Sequence, residues 1–203
     1  MKKIVVWSGG LDSTLLLNNL AKESSEENPV FAFSFKLHII HDIKDKMEVR
    51  ARKNYLKYAK QQGYHIEHNV ITIDGPGYPS ETWAQQKSWL CFILPYMPNN
   101  CEINFGYIQS DSIWPALDNH LKILENFQYL GGIGDSRLSF PFTFKEKWEV
   151  LKEFQEEGIP ENCFWTCEKP LKKPITPCGK CEPCIHLKMA KQELQYRKSI
   201  NRV

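Results

Sequence analysis

The feature that most constrains the fold is a short apolar run that ends in two glycines near the start of the chain. Residues 4–7 are Ile-Val-Val-Trp, residues 8–10 are Ser-Gly-Gly, and a leucine-rich stretch follows at 11–17. Apolar β-branched residues favour a buried strand, glycines favour a tight turn, and the leucines favour a helix. The pattern predicts a strand, a turn and a helix that begins near Asp12 or Ser13.

The turn has the chemistry of an anion-binding site. Gly9 and Gly10 carry no side chain, so a ligand could approach the main chain closely. Ser8 and Ser13 add hydroxyl donors, and the helix start supplies free N–H groups and the positive end of its dipole. These groups predict binding of phosphate or pyrophosphate. An ordinary strand-to-helix turn with an Asp or Ser cap is the alternative.

Apolar strand patterns alternate with helix patterns over most of the chain. Further strand patterns fall at 29–35, 65–73, 102–108 and 138–141, and helix patterns at 44–62, 80–94, 117–127 and 146–157. Such alternation predicts an α/β fold with a doubly wound, Rossmann-like parallel sheet of about five strands. Because the composition changes after Pro160, we expect a nucleotide-binding domain over 1–160 and a C-terminal segment with a helix over 161–203, packed on the same domain.

Length, charge and hydropathy limit the classes of protein to which this chain could belong. The 203 residues, 42% of them hydrophobic, can form one buried core with an appendage. The formal net charge of +2 is too small to indicate a nucleic-acid partner. No apolar run approaches the ~20 residues needed to cross a membrane, and the chain enters its first strand without a signal peptide. We therefore expect a cytoplasmic protein with no membrane association.

Four cysteines in the C-terminal segment have the spacing of a metal site. Cys178, Cys181 and Cys184 recur every three residues, and Cys167 lies eleven residues before them. Overlapping Cys-x-x-Cys units in a reducing compartment suit tetrahedral Zn²⁺ held by four thiolates, a closed and therefore structural site. An iron–sulfur cluster is the alternative, and Cys163 competes with Cys167 for the fourth position. Two other cysteines are expected to be buried small residues: Cys91 and Cys101.

The glycine turn also matches a known nucleotide motif. Ser8, Gly9, Gly10, Asp12 and Ser13 occupy all the defining positions of Ser-Gly-Gly-x-Asp-Ser, and the turn resembles the pyrophosphate loop of the N-type ATP-pyrophosphatases. In that superfamily the loop holds the pyrophosphate of ATP while a substrate carboxylate or carbonyl oxygen attacks the α-phosphorus. The resemblance implies that the chain binds ATP and activates an oxygen of a small-molecule substrate.

Motifs at both ends of the chain occur together in one family. The loop is followed, far along the chain, by Trp165-Thr166-Cys167 and by Cys-Gly-Lys-Cys-Glu-Pro-Cys over 178–184. Three internal positions keep the family's spacing, namely Pro141, Lys147 and Glu149, and Gly106 stands where the family ends its fourth strand. This combination resembles the 7-cyano-7-deazaguanine synthase (QueC) family of queuosine biosynthesis. The resemblance implies Cys167, rather than Cys163, as the fourth metal ligand.

The resemblance implies an activity and a set of site residues. The family converts a 7-deazaguanine carboxylate, with ATP and ammonia or another amine, to an amide and then a nitrile. It implies ATP, Mg²⁺ and structural Zn²⁺ as cofactors, and a homodimer as a candidate assembly. The residues are, for ATP, Ser8, Gly9, Gly10, Leu11, Asp12, Ser13 and Ser34; for catalysis, Asp12, Ser13 and Lys147; for substrate, Lys87 and Trp114; and for metal, Cys167, Cys178, Cys181 and Cys184.

The middle of the chain departs from the family pattern and leaves other functions open. The segments at 36–39, 87–88 and 114–118 stand where the family has Asp-Tyr-Gly-Gln, Arg-Asn and Tyr-Pro-Asp-Cys-Arg. The enzyme could therefore join a deazaguanine to another molecule or act on a different carboxylate. A tRNA sulfur transferase, which needs a catalytic cysteine pair, and a nucleotide-binding partner without catalysis are further alternatives. Trp114 and Tyr107 could stack on a flat base or serve as core aromatics.

Overall fold

Five parallel strands form the central sheet of the computed structural model, which describes residues 1–37, 42–73, 85–111 and 113–200. The strands are β1 (Lys2–Val6), β2 (Val30–Leu37), β3 (Ile66–Ile73), β4 (Cys101–Asn104) and β5 (Arg137–Ser139). Their order is β3-β2-β1-β4-β5, and every neighbouring pair is parallel. The strand order reverses beside β1, and the predicted doubly wound α/β fold is confirmed.

Helices connect the strands and cover both faces of the sheet. They are α1 (Leu11–Ala21), α2 (Asp42–Gln61), α3 (Gln85–Ile93), α4 (Leu117–Tyr129), α5 (Lys147–Glu156) and α6 (Glu182–Ile200). Side chains of α1, α2, α5 and α6 pack in one apolar core, and side chains of α3 and α4 pack in a second. The right-handed crossovers of a doubly wound sheet produce this division.

The central strand is buried on both faces because its side chains alternate between the two cores. Val5 and the following Trp7 pack in the first core, whereas Ile4 and Val6 pack in the second. The Trp7 indole N–H donates to the Thr14 hydroxyl at 3.0 Å and joins the end of β1 to α1. Burial on both faces explains why this strand is a continuous apolar run without polar alternation.

Some predicted boundaries differ from the structure. The fourth strand ends at Asn104 and not near residue 108, and the fifth spans Arg137–Ser139. Residues 105–111 instead form a loop at the carboxyl end of β4. The predicted loop at 75–79 and the predicted helix start at 80–83 lie outside the described residues.

The segment after Pro160 packs against α5 and the first core through its helix. A short antiparallel hairpin, β6 (Leu171–Lys172) and β7 (Ile175–Thr176), precedes the last three cysteines. Ala190 and Leu194 of α6 are buried in the first core, where α6 contacts α5. Within the described ranges, no helix combines the length and the apolar character needed to cross a membrane.

Candidate active site and metal centre

Internal hydrogen bonds hold the glycine turn between β1 and α1. The Gly10 N–H donates to the Ser8 hydroxyl at 3.1 Å, and the Ser8 and Ser13 hydroxyl oxygens are 3.0 Å apart. The Thr14 N–H donates to the Gly10 carbonyl at 3.1 Å and begins the hydrogen bonding of α1. Gly9 has a φ of +89°, a left-handed angle that favours glycine. The predicted loop residues therefore lie together at the N-terminus of a helix.

A second glycine allows the loop after β4 to lie against the start of α1. A Cβ atom on Gly106 would lie 2.9 Å from the Ser13 nitrogen and 3.0 Å from the Asp12 carbonyl carbon. These separations are shorter than van der Waals contact, so a larger residue would push the two segments apart. The glycine that the family resemblance aligned at the end of the fourth strand therefore has a packing reason.

An ion pair joins the start of α1 to the start of α5. Lys147 Nζ lies 2.5 Å from Asp12 Oδ2, and the two side chains are 20% and 21% exposed. Asp12 Oδ1 is buried and has no hydrogen-bond partner in the described part of the chain. The Glu149 carboxylate accepts the Glu146 N–H at 2.8 Å and fixes this end of α5. The pair therefore places a cation, and a carboxylate oxygen without a described partner, at the N-terminus of α1.

A cavity of about 400 Å³ opens beside the glycine turn, at the carboxyl ends of the strands. The lining comes from the glycine turn with the start of α1, from β2, α2, α3 and α5, from the loop after β4, and from the cysteine segment. Its lining includes Ser8, Gly10, Leu11, Asp12, Phe35, Glu48, Trp89, Asp111, Lys147, Trp165, Thr166, Glu182 and His186. The volume suits a small ligand such as a nucleotide, and parallel sheets bind ligands at this edge.

Asp111 is a charged residue of the cavity wall that sequence analysis missed. Its carboxylate accepts the Ile108 N–H at 2.8 Å. Burial raises the pKa of Asp111, and the Asp12 charge raises it too, whereas the bond from Ile108 and the Lys147 charge lower it. Asp111 therefore brings a second carboxylate close to the Asp12–Lys147 pair.

A stacked aromatic pair forms an apolar part of the same wall. The rings of Phe35 and Trp89 are 5.8 Å apart between centroids, with 12° between their planes. The Trp89 indole N–H is buried and has no hydrogen-bond partner among the residues described. A flat heteroaromatic ligand could stack against this wall and accept that N–H.

The four cysteines predicted as metal ligands converge. The Sγ atoms of Cys167, Cys178, Cys181 and Cys184 all lie within 4.8 Å of one another. A tetrahedron with Zn–S bonds of about 2.3 Å has sulfur–sulfur edges of about 3.8 Å, so this set could hold one metal ion. Cys163, the competing residue, is buried in the first core and is not part of the group.

Backbone donors prepare one of these thiols for a metal. The N–H groups of Lys180 and Cys181 donate to Cys178 Sγ and lower the pKa of Cys178 to about 6. Burial raises the pKa of Cys184 to about 12. A bound cation would offset that burial, because metal ligation requires the deprotonated thiolate.

Comparison with known proteins gives one recurring name. No family model matches the chain. The chain is 26% identical over 226 residues to a 7-cyano-7-deazaguanine synthase of Leptospira biflexa serovar Patoc, covering 90% of this chain and 86% of that protein. It is 22% identical over 214 residues to a protein of the same name from Hahella chejuensis, covering 91% and 85%. This chain resembles the 7-cyano-7-deazaguanine synthases.

The predicted resemblance is thus confirmed over about nine tenths of the chain. A third synthase, from Saccharolobus solfataricus, is 24% identical over 92% of this chain, which spans only 44% of that longer protein. Among solved structures, the chain is similar to the U34-tRNA thiolase NcsA from Methanococcus maripaludis with its [4Fe-4S] cluster. That likeness has 12% identity and a TM-score of 0.49, and it covers 96% of this chain and 72% of the thiolase.

Ser34, assigned to ATP through the synthase resemblance, does not line the cavity. It is completely buried, and its hydroxyl donates to the Trp7 carbonyl at 2.7 Å. The Ser34 proton is used in that bond, so the His68 Nε2–H donates to Ser34 Oγ at 3.0 Å. The Ser34 side chain therefore holds β2 and β3 to the end of β1, and contact with ATP through its hydroxyl has no support in this geometry.

Trp114, one of the substrate residues taken from the synthase resemblance, does not line the cavity. The Trp114 indole N–H donates to the Ile108 carbonyl at 2.9 Å, and the ring packs edge-on against Phe140. Tyr107 stacks on Phe140 with 6.2 Å between centroids. Both rings therefore support the loop after β4. Lys87 lies in α3, but its side chain is not among the parts of the chain that the structure describes.

Sequence analysis also missed three charged residues on one face of α2. Lys44, Glu48 and Arg52 are spaced by four residues, with Glu48 3.6 Å from Lys44 Nζ and 3.9 Å from Arg52 Nη1. Burial raises the pKa of Glu48, whereas the two cations lower it. The four-residue spacing was the available signal, but the same spacing is common on solvated helix faces.

Proposed function

We propose that this protein is an ATP-dependent enzyme of the 7-cyano-7-deazaguanine synthase type, which activates a carboxylate and joins its carbon to nitrogen. The observation that carries the proposal is the Ser8–Ser13 turn with the Asp12–Lys147 pair beside a cavity of nucleotide size. Relatives named as synthases, aligned over about nine tenths of the chain, support the same class of enzyme.

The reaction needs ATP because a carboxylate is a poor electrophile. A carboxylate oxygen attacks the α-phosphorus of ATP, pyrophosphate leaves, and an acyl adenylate forms. Ammonia then attacks the acyl carbon, loses a proton and displaces AMP, which gives the amide. A second ATP activates the amide oxygen in the same way, and loss of AMP and both amide protons gives the nitrile. The protein must align oxygen with phosphorus and exclude water.

Each group at the glycine turn would have a separate role in binding the triphosphate. The hydroxyls of Ser8 and Ser13 and the N–H groups at the start of α1 would donate to the pyrophosphate. Lys147 would neutralise the negative charge that develops as pyrophosphate leaves. Mg²⁺, when bound, supplies further charge neutralisation, and Asp12 Oδ1, which is buried without a partner, would hold it directly or through water.

The substrate side of the cavity suits a flat ring. A deazaguanine presents two aromatic faces and hydrogen-bond acceptors at its edge. Phe35 and Trp89 offer a stacking surface, and the Trp89 N–H lacks a described partner. The heterocycle would therefore lie against this wall, with its carboxylate toward the glycine turn.

We further propose that the four-cysteine centre holds one structural Zn²⁺. The sulfurs lie within 4.8 Å of one another, and iron and sulfide atoms between them would hold the sulfurs of an iron–sulfur cluster further apart. Four thiolates also leave no open coordination position for catalysis. The ion would fasten the zinc-binding segment over 161–203 to the domain over 1–160.

A tRNA sulfur transferase is supported less well. Sulfur transfer through a catalytic cysteine pair requires a reactive thiolate beside the nucleotide. The cysteines outside the metal centre do not line the cavity. Burial raises the pKa of each of them: Cys91, Cys101 and Cys163.

Incubation with 7-carboxy-7-deazaguanine, ATP, Mg²⁺ and ammonium, followed by mass spectrometry, tests the proposed function. We expect the amide and nitrile, together with AMP and pyrophosphate. Parallel reactions with primary amines and with other carboxylates identify an enzyme that conjugates a deazaguanine or uses a different acid. Binding of ATP without AMP formation in any of these reactions would indicate a non-catalytic partner, and failure to bind ATP would refute the proposal.

A further inference from the structure

A buried arginine on α2 holds the glycine turn by its backbone. Arg52 is 4% exposed, and its Nη1 donates to the Ser8 carbonyl at 2.7 Å. Its Cγ lies 3.0 Å from the position that a Cβ atom on Gly9 would take. The arginine stem therefore lies directly against the residue of the turn that has the left-handed backbone.

The hydrogen bond to the turn compensates for burial of the guanidinium. A buried charge is costly unless it is hydrogen-bonded or paired. The Glu48 carboxylate is 3.9 Å from Nη1, beyond hydrogen-bond distance, and it also faces Lys44 at 3.6 Å. Burial lowers the pKa of Arg52, against the effect of the Glu48 and Asp45 charges. The Ser8 carbonyl is therefore a principal hydrogen-bond partner of the Arg52 guanidinium.

The hydrogen bond from Arg52 to the Ser8 carbonyl also fixes the direction of the Gly9 N–H, because both groups belong to one peptide. In a planar trans peptide the C=O and the N–H point to opposite sides. A Ser8 carbonyl held toward α2 therefore turns the Gly9 N–H away from α2, to the other side of the turn. The guanidinium also leaves a positive charge behind the turn, where it attracts an anion through protein of low dielectric.

We propose that Arg52 is a positioning residue that orients the Ser8–Gly9 peptide for pyrophosphate before ATP binds. This inference rests on the proposed function, because it takes the turn to be the pyrophosphate site. Arg52 acts through the backbone of the turn and from the α2 side. Its removal should therefore affect ligands that carry the pyrophosphate group more than ligands that lack it.

Calorimetric titration of the full chain with inorganic pyrophosphate and with AMP separates this role from general support of the fold. Arg52→Met keeps the stem and removes the charge and donors, whereas Arg52→Lys keeps the charge without the planar fork. Arg50→Met, at an exposed position of the same helix, is the matched control. We expect Arg52→Met to weaken pyrophosphate binding about tenfold or more, Arg52→Lys to weaken it less, and AMP binding to change by less than about twofold.

The outcomes distinguish this inference from the proposed function. Wild-type protein that binds neither ATP nor pyrophosphate would refute both. Wild-type binding with unchanged pyrophosphate affinity in a folded Arg52 variant would refute the positioning role alone. A parallel loss of pyrophosphate affinity, AMP affinity and thermal stability would also refute it, because that pattern indicates a structural role. If Arg52→Met does not fold, Arg52→Lys is judged by the same comparison.

Discussion

The backbone N–H of Trp165 donates to the carbonyl of Gly9 at 2.9 Å. The Trp165 indole N–H also donates to the Cys167 carbonyl at 2.8 Å. One residue therefore contacts both the glycine turn and a predicted metal ligand. Two sites that lie at opposite ends of the sequence are joined by two hydrogen bonds, so the metal centre and the turn are mechanically connected.

Removal of the metal should weaken ATP binding before the sheet unfolds. Cys181→Ser, or chelation, loosens the segment that carries Trp165, because the metal contributes directly to the folding of its site. Loss of one hydrogen bond worth about 1 kcal/mol corresponds to about fivefold weaker binding. Elemental analysis and calorimetry measure metal content and affinity. Cys91→Ser, outside the centre, should change neither.

Two results would contradict this account of the metal centre. Zinc fully retained in Cys181→Ser would show that Cys181 is not a ligand. A brown, iron-containing protein would indicate an iron–sulfur cluster in place of zinc.

Lys147→Met should lower kcat by about 100-fold or more, because the cation beside Asp12 would no longer stabilise the leaving pyrophosphate. Steady-state release of pyrophosphate measures the effect. Lys152→Met changes a lysine of the same helix whose side chain is 50% exposed and paired with Glu156. Equal losses in the two variants would argue against a specific role for Lys147.

Gly106→Ala should destabilise the fold by about 1–3 kcal/mol, because an added methyl group overpacks the contact with α1. The new Cβ atom would lie 2.9 Å from the Ser13 nitrogen. Since that contact includes the glycine turn, ATP affinity should fall as well. Urea denaturation and calorimetry measure the two effects. Wild-type stability together with wild-type affinity would contradict the described packing of this loop.

His68 should make the protein less stable in mild acid. Burial, and to a lesser extent the Arg52 charge, lower the pKa of His68 from 6.5 to about 4. Between these values the unfolded chain binds a proton that the folded chain does not, so stability falls as the pH is lowered from about 6.5 to about 4. Denaturant unfolding across this range should show a shallower pH dependence for His68→Gln.

The control for this titration is His65→Gln, which replaces a more exposed histidine just before β3. The slope of stability against pH measured for His65→Gln is the reference against which the slope of His68→Gln is judged. An unchanged slope in His68→Gln would show that His68 is not the group responsible.

The fold class was predictable because each strand and helix has a local pattern, but some boundaries were not. Phe105 and Ile108 lie in a loop, yet both are 2% exposed. An apolar run indicates that residues are buried, but it does not distinguish a buried loop from a buried strand. The fourth strand was therefore predicted too long. The hairpin of β6 and β7 was missed because a two-residue strand has no period to detect.

The sequence by itself determined the glycine turn and the cysteine group, because their residues are close along the chain and short-range geometry brings them together. Only the tertiary structure decided that Asp111 and Trp165 line the cavity and that Arg52 contacts the glycine turn. These residues come from separate segments that meet where the parallel strands end. Strand order decides which segments meet there, and no local sequence pattern determines strand order. The same long-range packing buried Ser34 in the sheet and placed its hydroxyl on Trp7.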